Sequence, residues 1–88
     1  MSDFVKYDLG QVGSDASVAV NLTSRANVHL LDSNNFARYQ LGEDFRAIGG
    51  EAMRSPVRLR IPHGGHWYVV LDLGGGSGTI NSSVEVYK

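Results

Sequence analysis

The segment "RLRIPHGGHWYVVLDL", residues 58–73, decides how this chain folds, because it holds two alternating apolar runs on either side of Gly64-Gly65. In an extended chain successive side chains point to opposite faces. Leu59 and Ile61 therefore share one face and Arg58 and Arg60 the other, while Trp67, Val69 and Leu71 form a second row of one parity. A two-residue turn at Gly64-Gly65 would pair residue 61 with 68 and 60 with 69, bringing the guanidiniums beside the tryptophan row. A three-residue loop, His63 to Gly65 with Gly65 left-handed, instead pairs Ile61 with Trp67, Leu59 with Val69 and Val57 with Leu71. Every apolar residue then falls on one face, so this loop is the expected one if the two strands are neighbours. A crossing of the chain between two sheets is the alternative, and it removes the register argument.

The same period-two pattern extends along the chain. In "ASVAVNL", Val18, Val20 and Leu22 oppose Ser17, Ala19 and Asn21, and in "SSVEVY", Val84 and Val86 oppose Ser83, Glu85 and Tyr87. Further strands are predicted at "FVKYDL", "NVHLLD", "PVRLRIP" and "HWYVVLDL", the last two rich enough in apolar residues to be central in a sheet. The stretch "SNNFARYQL", residues 33–41, breaks the pattern: a capping residue, helix formers, apolar Phe36, Tyr39 and Leu41, and Gly42 as a stop predict a short helix. "EDFRAIGGEAM" predicts a brief strand around Phe45 to Ile48 and a turn at Gly49-Gly50. The expected fold is mainly β: one domain over residues 1–88, a jelly-roll-like sandwich of two antiparallel sheets with one short helix.

Composition bounds what such a domain can do. Eighty-eight residues, 42% hydrophobic and 19% charged, describe an ordinary folded domain with little chain to spare for a deep cleft. There is no cysteine, which excludes disulfides and thiolate zinc sites and fits a reducing compartment. The start "MSDFVKYDLGQ" has neither the cationic nor the apolar region of a signal peptide, and no run approaches the ~20 apolar residues of a membrane span. A cytoplasmic protein without a membrane partner is expected. The sequons at Asn21 and Asn81 are then read as chance matches. A formal net charge of −1 gives no global reason to expect nucleic acid.

Four constellations carry candidate chemistry. His63 and His66 flank the glycines, but a metal site needs three or four ligands and the spacing supplies no third, so a turn is the plainer reading and no cofactor is expected. Arg54, Arg58 and Arg60 share one parity, so they form an outward basic stripe, with His66 or Tyr68 beside it, able to meet an anionic ligand or a protein. Asp32, Ser33, Asn34 and Asn35 crowd donors and acceptors at a strand-to-helix junction, where capping is the structural role and a ligand pocket the functional one. "GGGSG", residues 74–78, lacks the Lys-Ser/Thr ending of a phosphate-binding loop and reads as a connection between strands.

Taken together, "VHLLDSNNFARYQLG", Gly49-Gly50 and "SPVRLRIPHGGHWYVVLDLGG" resemble a bacterial family catalogued as a domain of unknown function, number 1883 in that series. The matching positions are Asp32, Ser33, Asn35, Phe36, Tyr39, Pro56, Pro62, Gly65, Trp67 and Asp72. The resemblance implies a compact β-sandwich that sometimes accompanies Toll/interleukin-receptor-like domains, and hence a sensing or interaction module. It supplies no catalytic residues. The expected function is a non-catalytic binding or protein-interaction module. The contrasting expectations are a small metal-dependent or hydrolytic enzyme using His63 and His66, and a homo-oligomer formed through a strand edge or through Tyr68 and Val70.

Overall fold

The computed structural model describes residues 4–23, 25–52, 55–72 and 81–87. Arg54 and the glycine run at 74–78 lie outside the described residues. Seven strands and one helix follow in the order β1 (Phe4–Val12), β2 (Ser17–Leu22), β3 (Ala26–Asp32), α1 (Ser33–Leu41), β4 (Ile48–Ala52), β5 (Val57–Arg60), β6 (Gly65–Asp72) and β7 (Ser82–Tyr87). A four-stranded sheet in the order β1-β6-β3-β4 faces a three-stranded sheet in the order β5-β2-β7, and the described pairings are all antiparallel. The two-sheet sandwich with one short helix is the fold that the alternation predicts.

The hairpin around Gly64-Gly65 does not form. β5 pairs with β2 in the smaller sheet, whereas β6 lies between β1 and β3 in the larger one, so residues 61–64 carry the chain from sheet to sheet. Gly65 is the first residue of β6, opposite Val12, with an almost extended φ of 159° in place of the expected left-handed turn. Two bonds fix the crossing. The Ile61 amide donates to the Ala16 carbonyl at 2.9 Å, and the indole Nε1–H of Trp67 donates to the His63 carbonyl at 3.0 Å. The expected faces survive, because parity along each strand sets them whichever neighbour it has. Val57, Leu59, Ile61, Trp67, Val69 and Leu71 all enter the core between the sheets, alongside Val18, Val20, Val28 and Leu30. Each such fully buried aliphatic side chain contributes on the order of 1.5–3 kcal/mol.

β6 is central, as its apolar run suggests, whereas β5, expected to be central on the same ground, is an edge strand. The outer face of β6 is not open to solvent. α1 lies across the larger sheet, and Phe36 packs with Leu31 and Val70 in a second apolar cluster that Tyr39 and Tyr68 flank. This corrects Tyr68 and Val70 as an exposed oligomer contact: Val70 has no exposed surface, and the Tyr68 ring stacks on Phe36 with centroids 4.3 Å apart. Burial on both faces is why β6 reads as a nearly continuous apolar run.

Helix α1 starts and stops on side-chain and glycine chemistry. Asp32, one residue before the Ser33 of the expected cap, is the N-cap: its Oδ1 accepts the Asn35 amide at 2.9 Å. Gly42, left-handed at φ 74°, ends the helix, and the Gly42 and Glu43 amides donate to the Tyr39 and Arg38 carbonyls in a Schellman motif. Residues 43–47 then run without regular structure, and the strand begins at Ile48, so the strand expected at Phe45 to Ile48 and the turn expected at Gly49-Gly50 are both displaced. Gly49 is inside β4 for a packing reason. A Cβ on Gly49 would stand 2.3 Å from the Val28 carbonyl oxygen, and φ is 116°. Gly49→Ala should therefore cost about 2–4 kcal/mol in chemical denaturation. Gly13→Ala, where a Cβ meets nothing within 4 Å, should stay within about 0.5 kcal/mol of the parent; equal losses at the two positions would refute this account of Gly49.

Candidate functional site

At the end of the sandwich where α1 begins, one carboxylate organises three segments. Asp32 Oδ1 accepts both the amide and the side-chain Nδ2 of Asn35, at 2.9 and 2.8 Å. The carboxamide oxygen of Asn35 in turn accepts the Arg46 amide at 2.7 Å. The segment 43–47 is thereby tied back onto the first turn of the helix. A second anchor is aromatic: Phe45 packs edge-on against Tyr39 and His29, with ring centroids 5.2 and 5.6 Å away, and Phe4 meets the other side of Tyr39 at 5.3 Å.

Two clefts open against this frame and share Asp32, Asn35 and Arg46. The first is a slot of ≈ 290 Å³ whose floor is the core itself, with Leu30, Ile48 and Trp67 at its base and Ala47, Pro62 and His63 along its sides. The second is a polar vestibule of ≈ 550 Å³ lined additionally by Asn34, Arg38, Asp44 and Phe45. Trp67, only 4% exposed, is thus a core residue, as its parity predicts, that also lines the slot.

The charged side chains of the site are unevenly matched. Asp32 has one oxygen committed to Asn35 and the other 3.9 Å from His63 Nε2. Among the described residues, no acidic side chain pairs with Arg38 or Arg46. His66 is drawn elsewhere: its Nε2 lies 2.6 Å from Asp8 Oδ1, and its ring stacks on Tyr68 at 4.8 Å. The Gly10 amide, foremost, and then His66 hold the Asp8 carboxyl below the ordinary carboxylate range. The two histidines therefore diverge to different carboxylates on different strands. Among the described residues no three His, Asp or Glu side chains gather at the range of metal ligands.

Among the described residues, the arginine strand is compensated at Arg60 alone. Arg58 and Arg60 lie on the outer face of edge strand β5, and neither lines the clefts. Arg60 is 3.5 Å from Asp15, and Arg58 shares the neighbour Ala19 with Glu85 across β2. Of the residues singled out from sequence, the structure brings together Asp32, Asn34, Asn35 and His63, and separates them from Arg58, Arg60, His66 and Tyr68. It adds Arg38, Asp44, Phe45 and Arg46, which sequence reasoning missed. The available signal was two arginines and an aspartate on either side of a glycine helix stop, a pattern that a strand at 45–48 conceals.

Tyr39 links the aromatic wall to the sheet. Its hydroxyl donates to Asp72 Oδ2 at 2.8 Å, and burial first, then that bond and the Asp72 charge, push its pKa up to about 12. The protonated form is the one the fold favours. Its stabilising contribution is full below the ordinary tyrosine value of 10 and is lost as the pH rises through about 12. Tyr39→Phe should be less stable than the parent at neutral pH, with the gap narrowing between pH 10 and about 12 in parallel urea titrations. A gap unchanged across that range would sink the assignment.

Comparison with known proteins gives one match. The model of the family described as Domain of unknown function (DUF1883) covers residues 2–88. No curated protein and no solved structure matches the chain. With essentially its whole length inside that family model, the chain belongs to the DUF1883 family.

Proposed function

We propose that this domain is a non-catalytic binding module whose ligand enters the slot between residues 46–48 and 62–63. The observation that carries the reading is the slot itself: an apolar floor at Leu30 and Trp67 beneath a polar rim of Asp32, Asn35, Arg46 and His63. Apolar concavity with a few converging polar groups is the general form of a small-ligand site. The rim is also tied together by the protein's own hydrogen bonds, from the Asn35 carboxamide to Asp32 and from the Arg46 amide to Asn35.

Binding is favoured over catalysis because the slot brings together one carboxylate and one imidazole with no hydroxyl, thiol or amine nucleophile among its lining residues. The arginine strand is the weaker surface, because it is an exposed edge that lines neither cleft and Asp15 lies 3.5 Å from Arg60. We place the module in the bacterial cytoplasm. A cysteine-free chain supports that setting, and no described helix is long and apolar enough to cross a membrane.

Amide NMR with a panel of small aromatic fragments, neutral and charged, tests the proposal. Shifts are expected at Asn35, Arg46, Ala47 and His63 and at the Trp67 indole N–H. Ala47→Phe, which fills the slot from an exposed position, should abolish them while leaving the rest of the spectrum in place. Shifts confined to the Arg58 and Arg60 face, or none with any fragment, would overturn the reading.

A further inference from the structure

Resting on the slot as the binding site, we infer that its ligand joins a flat apolar ring to a single phosphate or carboxylate group. The ring occupies the slot and the anion sits in the vestibule at Arg38 and Arg46.

The ring follows from shape and lining. A dry cavity of ~150 Å³ accepts benzene, and the slot offers ≈ 290 Å³ over the apolar floor of Leu30, Ile48 and Trp67. At its mouth the His63 ring lies 5.1 Å from the Trp67 ring, tilted by 52°, and offers an aromatic surface that is partly open to solvent. A ring or a fused pair of rings fits this space. A flexible polar chain would leave the floor unmatched and bring its hydroxyls and amides to a surface with few partners.

The anion follows from the unpaired cations. Arg46 lines both compartments and Arg38 the vestibule, and among the described residues neither has an acidic partner. Guanidinium forks select planar or tetrahedral oxyanions, which take two parallel N–H donors from each fork. Asp32 accepts from Asn35, lies 3.9 Å from His63 and makes no ion pair with either arginine, so with Asp44 it leaves the wall mixed in charge and recognition rests on the donor geometry of the guanidinium forks.

The limit to one anionic group comes from the same wall. Asp44 lines the vestibule with the two arginines, and Asp32 lies beside them. A polyanion that extended past the two guanidiniums would meet these carboxylates at close range. The site is therefore set against polyphosphates and sulfated polysaccharides, the partners that a basic strand face would suit. It also matches the position of the compartments: with Arg46 on the boundary, the anionic group hangs directly from the ring or is separated from it by a short link.

The chain contains a single tryptophan, Trp67, and it lines the slot, so its fluorescence reports occupancy without a label. The experiment titrates the whole domain with phenyl phosphate and benzoate, and separately with phenol and inorganic phosphate as the two halves. Saturable fluorescence changes are expected for phenyl phosphate or benzoate, with at least tenfold weaker binding of each half. Arg46→Ala and Arg38→Ala should each weaken binding about tenfold, the loss of one charged hydrogen-bonding partner. Arg46→Lys, which keeps the charge but not the fork, should lose less, and Arg58→Ala should change nothing.

The outcomes separate the two levels of the claim. If phenol binds at Trp67 as tightly as phenyl phosphate and benzoate, and the arginine variants are silent, the slot stands and the anionic ligand is refuted. Inorganic phosphate that binds as tightly as phenyl phosphate, with no change at Trp67, refutes the ring. No response to any of the four probes, in fluorescence or in the amide spectrum, refutes the inference and the slot together.

Discussion

The sandwich depends on how the chain crosses between its sheets over residues 61–64. Such a crossing exposes backbone polar groups at the rim of the core, where an unpaired donor or acceptor is costly. Here the Ile61 amide extends the pairing with β2 by bonding to Ala16, and the next carbonyl the core could strand, that of His63, is taken by the Trp67 indole. The tryptophan therefore contributes its ring to the core and its N–H to the connection. No aliphatic residue could replace it in both roles. Because the crossing lies beside the start of α1, the bond that closes it also shapes the floor of the slot.

A second constraint follows from the central place of β6. Strand β6 has the first sheet's core on one side and α1 on the other, so the helix must dock at a fixed height along it. Asp32 sets that height. It is the last residue of β3, pairs with Trp67 in the sheet register, and caps the helix that follows. One residue thus links strand pairing, helix initiation and, through Asn35, the path of residues 43–47. A cap side chain is ordinarily worth about 1 kcal/mol. At Asp32 its loss would also release Asn35 and the Arg46 amide, so the consequence is geometric as well as energetic.

The faces of the strands were legible from the sequence because they depend only on parity, which one chain carries in full. The partner of each strand was not legible. Among the described pairings only β3 with β4 joins strands consecutive in the chain, and α1 intervenes even there. No local signal distinguishes a hairpin at Gly64-Gly65 from a crossing, since both accept two glycines and keep Ile61 and Trp67 inward. Helix α1 was legible through its ends, although Asp32 and Ser33 are both good caps and the residue type alone cannot choose between them. Gly49 was misread because a glycine required by the nearby Val28 carbonyl is indistinguishable in sequence from one required by a turn. Half of the candidate site was legible at residues 32–35. Arg38, Asp44 and Arg46 were not, because they meet only after residues 43–47 fold back on the helix.

The placement of charge then separates two surfaces that sequence alone ranks with the arginine strand first and the junction at residues 32–35 second. On β5, an exposed sheet edge, Arg58 and Arg60 do what charges on an edge strand do: they oppose continuation of the sheet by another chain. The 3.5 Å pair of Arg60 with Asp15 lies between side chains 77% and 86% exposed, where such pairs are worth little. Arg38 and Arg46 instead line a concave vestibule together with Asn34, Asp44 and Phe45, and both residues are open to solvent. Arg46 is held at its backbone by Asn35, and Arg38 extends from a helix capped at both ends. Among the described residues neither arginine has an ion-pair partner, so neither contributes a salt bridge to the stability of the fold. Their presence on the wall of a cleft is better accounted for by what the cleft receives than by what the fold requires.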